Sequence, residues 1–71
     1  LGQLDSALVH ALLGVAMARQ IYAPGHRSIA VALGRLAEVR VAQRQFPEAI
    51  AAEEEAVRIL RKPGRRMLAH Q

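Results

Sequence analysis

Apolar residues recur at helical spacing through most of the chain. Leu8, Leu12 and Val15, with Ala7 and Ala11 beside them, open the series, and a period near 3.6 marks an amphipathic helix. Asp5 and Ser6 are N-cap residue types placed just before that run. A first helix is therefore expected from there to about Tyr22, where Ala23-Pro24-Gly25 interrupts it. Ile29, Ala32, Leu33, Leu36 and Ala37 form the next stripe, which predicts a second helix from about Ser28 to Arg44. Pro47 suits the first turn of a third helix, and Glu48 beside it complements the helix dipole. Ala49, Ile50, Ala56, Val57 and Leu60 follow on one side, with Glu53 as an acidic intruder. Pro63-Gly64 is expected to end that helix, leaving Arg65 to Gln71 as a tail too short to be helical alone.

Composition agrees with an all-α chain. Of 71 residues, 52% are hydrophobic and 23% charged. Ala, Leu, Arg, Glu and Gln dominate, whereas strand-favouring aromatic and β-branched residues are sparse. This length permits one small domain that buries about 60% of its unfolded surface, which leaves little room for a deep catalytic cleft. Without cysteine, neither disulfides nor thiolate metal sites reinforce a thin core. The longest charge-free apolar run, Ala7 to Ala18, is too short to span a membrane and is interrupted by His10. The chain begins with Leu1 rather than Met and reads as an excised piece of a longer one. The absence of cysteine and of a signal peptide favours the cytoplasm.

A shift of 42 residues lays the first helix on the third. Leu4 falls on Phe46, Ala7 on Ala49, Leu8 on Ile50, Gly14 on Ala56 and Val15 on Val57. The small pairs, Ala7/Ala49 and Gly14/Ala56, suggest positions where neighbouring helices approach closely. At this point the chain resembles a tetratricopeptide repeat. Leu36 and Ala37 match the Leu-Gly/Ala pair of that family's first helix, Phe46 the bulky residue before its second, and Ala49 and Ala56 its two small positions. Ala23-Pro24-Gly25-His26 is similar to the Gly-Pro-x-His link of the long-linker repeats in kinesin light chains and bacterial signalling proteins. Arg40, Glu53 and Arg44 depart from the pattern, standing where it has Tyr, an aromatic and the turn Gly. Leu33-Gly34-Arg35-Leu36 replaces the Leu-Asn-Asn-Leu of the kinesin type.

The resemblance implies antiparallel helical hairpins of an α-solenoid, about three helices in all. Residues 1–22 would be the second helix of a partial repeat, 23–27 a linker, 28–62 one whole helix-turn-helix repeat, and 63–71 a basic tail or the start of a next helix. It also implies that the inner side of the second helix faces a ligand, through Val31, Arg35, Glu38 and Ala42, with Arg35 as the main polar contact.

No constellation of catalytic or metal-binding groups emerges, and no cofactor is expected. His10, His26 and His70 lie far apart without ligand spacing, and Ser6 and Ser28 read as helix caps. His10 reads as a boundary residue and His26 as a linker residue packing between helices. Glu53-Glu54-Glu55 point about 100° apart on a helix and cannot jointly chelate; Glu54 and Glu55 are placed to meet Arg58. Glu53 is expected at an edge, near Arg40 or Arg35. Arg58, Arg61, Lys62, Arg65 and Arg66 make a basic patch without interleaved aromatics, so nucleic acid is expected only as a non-specific polyanion.

A two-helix solenoid unit hides its apolar face only by stacking on neighbours. Leu8, Leu12, Ile50 and Leu60 are therefore expected on exposed packing faces. The leading functional expectation is a protein–protein interaction module that self-associates or docks a protein partner through those faces. The alternatives are a structural repeat of a larger signalling ATPase or transcription regulator without its own ligand, and a non-specific nucleic-acid binder.

Overall fold

Three helices follow one another in the computed structural model, which describes residues 2–66, with side chains through residue 61. They are α1 (Gln3–Ile21), α2 (Arg27–Ala42) and α3 (Phe46–Arg66). Packing of α2 against both α1 and α3 puts it in the middle of the row. Gln43, the residue that caps the end of α2, reaches Asp5 at the start of α1 over 3.5 Å, as antiparallel neighbours require. The row measures 53 × 25 × 11 Å, so it is about one helix thick. Its radius of gyration of 13.8 Å exceeds the roughly 11 Å of a globule of this length. This is the all-α architecture the periodicity predicts, in the antiparallel hairpins the resemblance implies.

The helix ends correct several expectations. α1 begins at Gln3 with Gly2 as an extended N-cap, and Asp5 lies inside the first turn rather than at the cap. A carboxylate there still faces the positive end of the helix dipole. Ser28 is likewise inside α2. The cap is His26, whose Nδ1 accepts from the Ser28 backbone N–H at 3.0 Å and whose ring stacks on Tyr22 at 4.5 Å. The link that delivers it is a tight turn: the His26 N–H reaches the Ala23 carbonyl, and Gly25 takes the left-handed φ of 86°. Pro at the second turn position and Gly at the third are what a type II turn requires.

α2 ends in a double backbone bond, Arg44 N–H to the Val41 carbonyl and Gln45 N–H to the Arg40 carbonyl. That is a Schellman motif, normally built on glycine. Here Arg44 holds the left-handed position at φ 60°. The Arg40 guanidinium donates to Gln45 Oε1 at 2.6 Å across the same turn. Pro63-Gly64 does not end α3, which continues to Arg66. A proline removes one backbone bond and crowds the preceding turn, but its φ is itself helical. Residues 67–71 of the expected tail, His70 among them, lie outside the described residues.

The core is thin and rich in alanine. Val15 and Ala18 of α1, Ile29, Ala30, Leu33, Leu36 and Ala37 of α2, and Ala49, Ala52 and Ala56 of α3 are its buried members. Six of these ten are alanine, which lets backbones approach but limits the apolar area each helix hides.

Candidate functional site

The two outer helices meet α2 through different faces, and that difference creates the site. α3 buries Ala49, Ala52 and Ala56. α1 buries Val15 and Ala18 against the same helix, with Leu8 and Ala11 packed alongside. Under the 42-residue shift, the face α1 turns to α2 corresponds to Ile50, Glu53, Val57 and Leu60, adjacent to the face that α3 buries. Each outer helix thus carries a small-residue face and, beside it, a larger apolar one. In α1 the larger face is covered, with Val15 and Ala18 each 8% exposed. In α3 the equivalent residues are open: Ile50 is 56% exposed, Val57 44% and Leu60 56%.

The open face forms a groove of about 510 Å³, with Val41 at the end of α2 and Phe46 at the start of α3 closing its apolar wall. Glu53 and Glu54 line it on the N-terminal side of Val57, Arg58 and Arg61 on the C-terminal side. Its chemistry is that of a seat for an amphipathic helix, with an apolar centre and a charged margin.

The predicted ligand-facing residues Val31, Arg35, Glu38 and Ala42 are all exposed and lie on one stripe of α2, away from Ile29, Leu33 and Leu36. Of the predicted packing faces, Leu12, Ile50 and Leu60 are exposed; Leu8 is instead partly buried against the core, because α2 covers it. Arg58 and Arg61 of the basic patch are exposed, while the side chains of Lys62, Arg65 and Arg66 lie outside those described. Gly14, expected to allow close approach, faces open space: a Cβ there would meet nothing within 4 Å. Its equivalent Ala56 is buried only because α2 lies against it.

Two electrostatic expectations change. Glu53 pairs with neither Arg40 nor Arg35; Arg40 is engaged by Gln45, and Glu53 stands exposed at the groove. Glu55 does not meet Arg58. It accepts both guanidinium nitrogens of Arg19 in α1, at 3.0 and 3.1 Å, across the top of α2. This bridge borders a second cleft of about 830 Å³, floored by Ile29 and bordered also by Arg58 and Arg61. The sequence signal for it is the repeat itself, which sets the first and third helices on the two flanks of the second. Local helix spacing hides it by offering Arg58 as a nearer partner.

The two described histidines, His10 and His26, do not converge. His10 is exposed and its Nδ1 donates to the Ser6 carbonyl at 3.0 Å, while His26 is a cap. Among the described residues no group of three His, Cys, Asp or Glu is placed to hold a metal ion. No described helix is long and apolar enough to cross a membrane.

Comparison with known proteins places this architecture. No curated protein and no solved structure matches the chain. The family model for the tetratricopeptide repeat matches residues 1–62, which takes in α1, α2 and most of α3. The chain belongs to the tetratricopeptide repeat family, a family of protein–protein interaction repeats that are typically non-catalytic scaffolds.

Proposed function

We propose that this tetratricopeptide-repeat chain is a protein-docking module whose working surface is the groove on α3. Its occupant is an amphipathic helix laid against α3 as α2 is laid against α1. One observation carries this reading: Ile50, Val57 and Leu60 stand open where their equivalents Leu8, Val15 and Ala18 are packed beneath a helix of the same chain. Val31, Arg35, Glu38 and Ala42 form a second contact stripe, on the exposed face of α2, with Arg35 as its polar anchor.

The natural probe is α2 itself, as a labelled peptide spanning Arg27 to Ala42, followed by fluorescence anisotropy against the whole chain. A 16-residue peptide is marginally helical in water and must order as it binds, so weak but saturable binding is expected. Ile50→Asp and Val57→Asp each place a carboxylate in the apolar centre and should weaken it roughly tenfold or more, about 1.4 kcal/mol. Met17→Asp, on an exposed face of α1, should not. A folded parent chain, monomeric at the concentration used, that shows no saturable binding would remove the docking reading.

A further inference from the structure

The groove on α3 has a charge order that makes it complementary to itself. Along the helix Glu53 and Glu54 come first, Val57 next, and Arg58 and Arg61 after it, all lining one concave surface. Eight residues of helix separate Glu53 from Arg61, about 12 Å along the axis. Laid against a second α3 running the opposite way, with a two-fold axis near Val57, each acidic pair meets the basic pair of the other copy. The apolar centre is then closed by Val57 against its own equivalent. A parallel arrangement would set like charges together, so the charge order selects both orientation and register.

We propose that the occupant of the α3 groove is a second copy of this chain, joined as an isologous antiparallel α3–α3 dimer. The proposal rests on the docking reading above and names its partner. The net charge of +4 on each copy opposes indiscriminate association, so pairing depends on this local alternation rather than on overall attraction. A two-fold contact closes on itself and leaves the Val31–Ala42 stripe of α2 free in both copies.

Sedimentation equilibrium over a concentration series tests it, with circular dichroism confirming that each variant keeps its helices. The mass should rise from 7.7 kDa towards twice that value at about 0.15 M ionic strength, where the repulsion between the two net positive charges is screened. The double variants E53R/E54R and R58E/R61E alter exposed side chains, and each should dimerise at least tenfold more weakly than the parent. An equimolar mixture of the two should recover association, because every facing pair is again of opposite sign. A parent that stays at 7.7 kDa throughout, or variants that dimerise as tightly as it does, would overturn the proposal. A monomeric parent that still binds the Arg27–Ala42 peptide would overturn the dimer alone; one that binds neither itself nor the peptide would remove the docking reading as well.

Discussion

Arg44 occupies a backbone region where a Cβ crowds the following carbonyl, at φ 60°. The Schellman bonds from Arg44 and Gln45 hold it there, supported by the Arg40 side chain on Gln45. Arg44→Gly should relieve that strain and stabilise the chain by roughly 0.5–1 kcal/mol, after the entropic cost of glycine. A melting temperature higher by about 2–8 °C is the expected reading; a fall would show that the arginine side chain holds the turn. At the other end of α2, His26→Ala removes an N-cap and should cost about 0.5–2 kcal/mol, whereas His26→Asn should keep most of it. Arg44 was legible as the residue in place of a turn glycine. The cap was not, because Ser28 is the stronger cap type and lies two residues on. The turn at Pro24-Gly25, which aims His26 rather than Ser28 at the free N–H groups, decides between them.

Among the helices, α2 carries the structure because both others depend on it. Ile29, 2% exposed, touches the shared core and floors the cleft beneath the Arg19–Glu55 bridge. Ile29→Ala and Leu33→Ala should each cost about 2–5 kcal/mol, enough in a core this thin to melt all three helices together rather than one hairpin. Chemical denaturation followed by circular dichroism checks this through the shared transition. Glu55→Gln removes an ion pair between half-exposed side chains and should cost under about 1 kcal/mol. The stripe Ile29, Leu33, Leu36, Ala37 is readable from spacing alone. The burial of Ala30 is not, because it needs a helix on each side of α2 and so a wider covered arc than one stripe. The passage of α3 through Pro63 escaped for another reason: a proline forbids one hydrogen bond, and a local rule counts that loss without the turns already built before it.

At the scale of the whole molecule, a row one helix thick has no second layer, so its outer faces stay open unless another helix is laid on them. The 42-residue repeat already indicates that the first and third helices are equivalents. What it does not reveal is that they meet α2 through neighbouring faces, so that the covered face of one marks the vacant face of the other. That relation depends on the order of packing, which no single helix pattern encodes. It explains why Leu8 is covered while Ile50 is open, and why Gly14 faces empty space while Ala56 is buried.

The most direct test of that relation is to supply the missing cover. Replacing residues 62–71 with a second copy of Gln20 to Ala42 sets another α2 in the same register after α3 as the first has after α1. Thermal unfolding of this chain beside the parent is the measurement. If the α3 groove is the vacant equivalent of the face α1 buries, the added segment should fold onto it. Burial of Ile50, Val57 and Leu60 should then add about 2 kcal/mol or more and raise the melting temperature by roughly 8 °C or more, with helicity per residue maintained. An unchanged melting temperature with lower helicity per residue would mean that the added helix finds no seat there, and would contradict the account.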